Sequence, residues 1–499
     1  MRPSTSKHVR RQHVDIDFTL RRVFKKQAFR PVQREVITAA LDGNDVYIQA
    51  ATSFGKSLCF QLPAVVDHGI TIVVSPLLAL VDNQVSALRA ANIKVATLNS
   101  QIPRPERDDI LSDLRCGHPH TRLLYVTPEY CKLSHFRRHL EIVHAQRELA
   151  RIAVDEAHCI SEWGHDFRPA FLDLRWFKTT FPDVPIIALT ATATSRVRRD
   201  IIDALGLNRH KLRVFEMTTL RPNIHYEVRF KSDDKGPYDD FLKWLRAAQG
   251  RRAARLAAAE ERDGRRSALN DKDKSQDPGT LPGIIYTLYR KDCESLAAQL
   301  RSDGIGAIPY HAGLPKETKA DHLAGWVAGR PGYAVVVATT AFGMGIDKED
   351  VRFVVHWQIP KTFEGYYQEA GRAGRDGKAA RCVLYYGRED RDRALTLMLR
   401  DALTKAAGRM QKAEPELAKM KNRSESFQEL FMYCENTGAC RHRLICDYFG
   451  EATPSMHCQF ACDWCKDAKD LAERKEKGLV AENWCEDQMT PYGLLSWET

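Results

Sequence analysis

No apolar run in this chain approaches the about 20 residues that a helix needs to cross a bilayer. The first residues, MRPSTSKHVRRQHVDID, lack the apolar middle of a secretory leader, so the expectation is an intracellular protein with no membrane partner. A large charge excess of one sign is also missing. The 75 basic residues face 65 acidic ones, a formal +10 over 499 residues with a pI near 8.9. That permits a polyanionic partner without demanding one, and it falls short of the basic footprint of a small DNA-binding module. The thirteen cysteines do not read as a disulfide framework. Six lie between Cys434 and Cys465, and in a reducing compartment such a cluster reads as a metal site. Cys59, Cys293 and Cys382 sit in apolar or mixed segments and read as buried thiols. The basic patch Lys7, Arg10 and Arg11 reads first as a solvated tail and second as a nuclear address.

What is present is a globular composition, 43% hydrophobic and 28% charged, in a chain too long for one core. Short apolar runs at 46–50, 70–75, 122–126, 151–155 and 186–190 alternate with segments of helical period. The pattern restarts at 283–287 and continues at 305–310, 333–339, 351–356 and 381–386. Strands alternating with helices predict parallel sheets covered on both faces, here two α/β domains with a boundary near 218–230. The expected division is a basic tail (1–17), a first domain (18–220), a second domain (221–390), a helical metal-binding domain (391–470) and a tail without a core of its own (471–499). Residues 250–280, about half charged, predict a mobile insertion or a short charged helix with disorder near 263–280. A DNA-touching arm is disfavoured there, because acidic residues nearly cancel the basic ones.

Three stretches carry chemistry. AATSFGKS (50–57) follows the strand VYIQ and precedes a helix-like run, the setting of a phosphate loop with Ala50 in place of the first glycine. The loop residues Thr52, Ser53, Phe54 and Gly55 would cradle the phosphates of ATP. Lys56 would reach the β- and γ-phosphates, and Ser57 would contact Mg2+. In RIAVDEAH (151–158) a strand delivers two carboxylates to its end. Asp155 suits the Mg2+ shell, and Glu156 suits a general base toward water. In FEGYYQEAGRAGRDG (363–377), Arg372 and Arg375 are three apart and share a face if the run is helical. Arginines from a second domain can offset charge developing on a γ-phosphate.

The cysteine cluster stands on its own spacing. Cys458, Cys462 and Cys465 are separated by three and two residues, which suits thiolates folding around one ion. A fourth thiolate would complete a closed, structural Zn2+ site. Cys440, seventeen intervening residues upstream of Cys458, competes for that place with Cys434 and Cys446, while His442 and His457 read as bystanders.

With these motifs in order, the chain resembles a superfamily 2 helicase and, more finely, the RecQ family of DNA helicases. The matching runs are FRPVQ (29–33), TSFGKSLCFQLPA (52–64), VSPLLALVDNQV (74–85), YVTPE (125–129), DEAHCISEWGHDFRP (155–169), LTATAT (189–194), RPN (221–223), YHAGL (310–314), TTAFGMGIDKEDVRFVVHW (339–357) and YYQEAGRAGRDG (366–377). They span about residues 18–466, and TSFGKSLCFQLPA is most similar to fungal members. The resemblance implies two RecA-like domains followed by a small helical zinc domain. It implies adenine recognition by Arg30 and Gln33, and a nucleotide contact by Gln368. It implies an aromatic-rich loop in which Trp163, Phe167 and Arg168 touch single-stranded DNA and His165 relays the signal. It favours Cys440 as the remaining zinc ligand.

Two departures accompany it: Lys26 stands where an aromatic or apolar residue usually meets adenine, and Glu162 stands where Gln is common. Many members continue into a winged-helix domain, for which the about 34 residues after Cys465 are too few. The resemblance implies a 3′ to 5′ motor on single strands that also unwinds duplex DNA, in the nucleus, in repair and recombination. The alternatives are an RNA-remodelling DEAH ATPase, a DNA-stimulated ATPase that unwinds weakly, and a scaffold with vestigial hydrolysis.

Overall fold

Strands buried on both faces cannot alternate apolar with polar residues, and they must be covered by helices on either side. Residues 46–48 and 72–74 are of this kind. In the computed structural model they lie in one parallel sheet of seven strands. The structure describes residues 15–51, 54–161, 168–231, 236–263, 280–343, 346, 348–407, 413–451, 458–459 and 461–486. The chain divides into two compact units, Met1–Met217 and Thr218–Thr499.

The first unit contains β1 (Asp45–Gln49), β2 (Ile70–Val74), β3 (Val95–Leu98), β4 (Leu123–Val126), β5 (Leu149–Val154), β6 (Ile186–Thr190) and β7 (Leu212–Glu216), in the order β3-β4-β2-β5-β6-β1-β7. Period two sorts the side chains between two cores. Ile72, Val74, Ile152, Val154 and Ala188 join one, while Val73, Ala153, Ile187 and Leu189 join the other. The five expected strands are all present. β3 and β7 were not anticipated: VATL is only four residues long, and LRVFE alternates charge with apolar residues because it forms a partly exposed sheet edge.

The second unit contains β8 (Ile224–Phe230), β9 (Gly283–Tyr286), β10 (Ala307–Tyr310), β11 (Val335–Ala338), β12 (Phe353–His356) and β13 (Ala380–Tyr386), ordered β10-β11-β9-β12-β13-β8 and again parallel. β8, residues 224–230, is an edge strand of the second sheet and lies inside the range 221–390 given for the second domain. Of the two expectations for the charged insertion, its first half takes the helical one, as part of a longer helix. A helix of 27 residues, Pro237–Asp263, contains its first half and is anchored by Phe241, Leu242 and Leu245 in the core. The remainder, 264–279, lies outside the described residues.

The helical zinc segment packs into the core of the second unit. Phe427, Leu430, Tyr433, Cys440, Ile445, Phe449 and Cys462 belong to the same core as Ile224, Tyr226 and Val354 of the sheet. The supposed tail begins as the helix Ala468–Glu486, with Leu471 and Leu479 buried and Leu479 in that core. Among the described residues no helix is long and apolar enough to cross a membrane.

The segment that carries Cys458, Cys462 and Cys465 seals the edge strand β8. Tyr226 N donates to Ala461 O at 3.2 Å, and Val228 N donates to Asp463 Oδ2 at 2.9 Å. Asp463 also takes a bidentate pair from Arg441, at 2.9 and 3.2 Å, with both side chains almost wholly buried. Removing one member of such a pair strands a buried charge, at a cost of about 3–5 kcal/mol. Asp463→Ala should therefore lower the stability of the second unit by about that amount. Denaturant unfolding followed by tryptophan fluorescence checks this; a loss of under about 1 kcal/mol would show that the pair does not hold the edge.

Candidate nucleotide site and zinc cluster

The phosphate loop starts where β1 ends. Gly55 has φ +83°, and a Cβ there would stand 2.9 Å from Gln33 Nε2, so only glycine fits without strain. Gln33 is buried and bridges two motifs. Its Nε2 donates to Phe54 O (3.0 Å) and Gly55 O (3.3 Å), and its Oε1 accepts from Arg30 N (2.9 Å). Arg30 and Lys26 are exposed. Lys56 is buried, with Nζ 2.7 Å from Ala50 O and 3.4 Å from Ala51 O. Ser57 caps the helix Leu58–Val66. Thr52 and Ser53 lie outside the described residues.

Asp155 follows β5, and its N–H donates to Val74 O at 2.9 Å, so the sheet delivers it. Burial, then the neighbouring Glu156, push its carboxyl up to about 7, against the opposing pull of Lys56 and a Gln84 hydrogen bond. Gln84 was missed by the sequence reading. It accepts from Tyr125 OH at 2.8 Å and from Gln61 Nε2 at 3.3 Å, a small polar group beside the carboxylate. Its signal lay in VSPLLALVDNQV, quoted only as a resemblance.

Glu156 has φ +51°, a left-handed conformation that costs a non-glycine residue about 1–2 kcal/mol. Its Oε2 is buried without a hydrogen-bond partner, 3.3 Å from His158 Nδ1. Strain and an unmet acceptor at one residue mark a site shaped for a ligand rather than for stability. His158 Nδ1 also meets Thr190 Oγ1 at 3.1 Å, and Thr192 N donates to that hydroxyl at 3.2 Å. The carboxylate pair is thereby wired to LTATAT. Arg168, expected on DNA, donates from Nη1 to Pro76 O at 2.9 Å. Trp163, His165 and Phe167 lie outside the described residues.

In the second unit the expected helix through Arg372 and Arg375 is corrected. The helix Phe363–Ala370 stops at its end, and both arginines sit on the turns that follow. Glycines at 371, 374 and 377 explain the stop, with Gly374 at φ +57° and Gly377 at φ +77°. The turn is held from outside. Arg221 of RPN donates to Gly371 O, Ala373 O and Gly374 O at 3.2, 2.9 and 3.0 Å, and Asn223 donates to Gly374 O at 2.8 Å. Arg372 is buried, lies beside the Tyr286 hydroxyl and leaves Nε without a partner. Arg375 Nη1 donates to Ile346 O at 2.9 Å. Gln368 is buried on the same helix.

The ligand atoms of Cys440, Cys458, Cys462 and His442 all lie within 4.8 Å of one another. Cys465, expected as a ligand, borders this group: its N–H donates to Cys462 Sγ at 3.3 Å, and its Sγ is 3.5 Å from Cys458 N. Soft thiolates in this number fit Zn2+. Cys434 and Cys446, the rivals for the fourth place, are buried thiols outside the group. His442, read as a bystander, has Nε2 3.1 Å from Arg221 O, so the cluster touches the residue that holds the arginine turn.

Three family models match the chain. They are DEAD/DEAH box helicase over residues 30–201, helicase conserved C-terminal domain over 272–377 and RecQ zinc-binding over 396–466. The ATP-dependent DNA helicase Q5 of Rattus norvegicus is 39% identical over 468 residues, 93% of this chain and 45% of its own length. The ATP-dependent DNA helicase Q1 of Pongo abelii is 37% identical over 490 residues, 96% of this chain and 67% of its own length. The chain thus spans less than half of the first of these and two thirds of the second. Among solved structures, the DUF1998 helicase MrfA bound to DNA aligns with a TM-score of 0.54 at 17% identity, over 74% of this chain and 50% of that one, a likeness of fold.

Because burial raises Asp155 above its ordinary 3.8, the protonated form stabilises the metal-free fold. That contribution is complete below pH 3.8 and is lost as pH rises through about 7. Asp155→Asn, always neutral, should therefore melt higher than the parent without nucleotide or Mg2+, by a margin that widens from pH 5 to pH 8. Thermal scans at the two pH values check this; a margin that shrinks with pH contradicts it.

Proposed function

The chain belongs to the RecQ family of helicases, and from that premise we propose that it is an ATP-driven motor moving 3′ to 5′ on single-stranded DNA and separating duplex strands. The carrying observation is the meeting of Lys56, Asp155 and the strained, under-bonded Glu156 on the turns that follow β1 and β5 of one sheet. Arg30 and Gln33 take the adenine, and Thr52 to Ser57 with Gln368 take the rest of the nucleotide. Lys56 draws charge from the β- and γ-phosphates. Mg2+, held by Ser57 and Asp155, would neutralise the phosphates. Glu156 Oε2, lacking a donor, accepts a proton from the attacking water. Arg372 and Arg375 supply the positive charge that hydrolysis needs; Arg372 Nε, buried without a partner, supports that role.

Trp163 and Phe167 stack on bases, Arg168 pairs with phosphate and His165 relays strand binding to the carboxylates. His158, 3.3 Å from Glu156 and 3.1 Å from Thr190, supports such a relay. Cys440, Cys458, Cys462 and Cys465 would hold a structural Zn2+, beside His442, whose Nε2 lies 3.1 Å from Arg221 O. The working compartment is the nucleus, and the work is repair and recombination.

Strand displacement on a 3′-tailed duplex tests the reading. The parent should separate strands with ATP, while Glu156→Gln should still bind ATP and lose about 100-fold or more in turnover. ATP hydrolysis by the parent with no strand separated would replace helicase by translocase. Arg372→Ala and Arg375→Ala should keep ATP affinity within a few-fold and lose about 1000-fold in hydrolysis, checked by equilibrium binding beside steady-state turnover. For zinc, Cys465→Ser should drop below one ion per chain while His442→Ala keeps it, read by metal analysis of purified protein. The opposite pattern would assign the fourth ligand to His442.

A further inference from the structure

A second ligand-bearing cluster lies in the first unit, away from the phosphate loop and the zinc cysteines. Its three members stand on three turns. His68 precedes β2, His118 lies between the helix Arg104–Arg115 and β4, and Glu148 immediately precedes β5. Because β4, β2 and β5 are neighbours and parallel, their amino ends bring these turns together. His68 Nε2 is 2.9 Å and His118 Nδ1 is 3.1 Å from the same oxygen, Glu148 Oε1. The ligand atoms of the three residues all lie within 4.8 Å of one another.

The support around them is built. Glu148 has a side chain only 3% exposed, and its backbone accepts from Ile70 N at 2.6 Å and donates to Val143 O at 3.0 Å. Gly69, at φ +91°, presses the His68 turn against it: a Cβ there would lie 2.4 Å from Glu148 O. Asp67 accepts from His68 N at 3.0 Å and pairs with Arg151 at 2.5 Å, which orients the turn. By contrast the imidazoles are 66% and 89% exposed and are free to adjust.

We propose that His68, His118 and Glu148 form a second metal site, for a dication of the Zn2+ or Co2+ kind. Two imidazoles and one carboxylate are a donor set for such ions, and three protein ligands leave a fourth position to water. Ligands about 2.0–2.1 Å from a tetrahedral ion are spaced roughly 3.4 Å apart, within a small ring movement of the distances found. Mg2+ does not suit imidazole nitrogen. The ion would not reach ATP chemistry: Glu148 immediately precedes β5 and Asp155 immediately follows it, about 23 Å apart for seven residue steps along a strand. It would instead fasten the three turns and stabilise the first unit.

The test uses the full chain with its cysteine-bound zinc in place, titrated with Co2+ by visible absorption and with Zn2+ by calorimetry. One further equivalent should bind, and Mg2+ should not compete. His118→Ala, at a highly exposed position, should keep the fold by circular dichroism and weaken that equivalent by at least about 10–100-fold, as should Glu148→Gln. At hundredfold saturation the parent's melting temperature should rise by about 5–10 °C, with no rise in His118→Ala. No further equivalent, or one that persists unweakened in both variants, would overturn the proposal and leave two imidazoles that hydrogen-bond a carboxylate.

Discussion

Burial of a carboxylate pair at the end of a strand sealed on both faces is the constraint on which the site depends. Asp155 and Glu156 reach that position because β5 is flanked by β2 and β6 and covered by two cores. The same burial holds a proton on Asp155 up to about pH 7 and leaves an oxygen of Glu156 unmet. Both features are unfavourable in the isolated fold. They become useful when a cation and a polarised water occupy the site, which is the usual exchange of stability for activity. Lys56 folded onto the carbonyls of Ala50 and Ala51 belongs to the same picture, a cation held on its own loop.

The second unit solves a different problem. A glycine-rich turn bearing two arginines has little conformation of its own, so it is held by the guanidinium of Arg221 and the amide of Asn223. Arg221 is in turn held by the cysteine cluster through His442. The aromatic stack of Phe363 on Tyr448, with centroids 4.2 Å apart, ties the helix that leads into the arginine turn to the same segment. The cysteine cluster is thus linked to the arginine turn by packing and one hydrogen bond. The zinc-binding region packs against the second sheet and shares its core.

Much of this was legible because the chemistry is local. A glycine, a lysine and a serine after a strand, and two acids at the end of another, are spaced by the turn they must form. The five interior strands of the first sheet were legible from continuous apolar runs. β7 and β8 were not, because edge strands mix charge with apolar residues and declare themselves only through their partners. The arginine pair was found, but its helix was not there: spacing by three suggests a shared face only where glycine does not break the turn. Gln84 and Arg221 escaped notice as actors because their roles depend on carbonyls and carboxylates far away in the chain. The helix Ala468–Glu486 looked coreless because its apolar residues, Leu471 and Leu479, are sparse and pack on another element.

The claim that these parts form a DNA-driven ATPase is tested most directly by steady-state ATP hydrolysis of the parent protein. It should be measured without polymer, with single-stranded DNA and with RNA of the same sequence, at several salt concentrations. Hydrolysis should be slow alone, rise strongly with DNA and lose that stimulation as salt increases, since phosphate contacts dominate such binding. Hydrolysis that is indifferent to DNA, or stimulated more by RNA, would contradict the account.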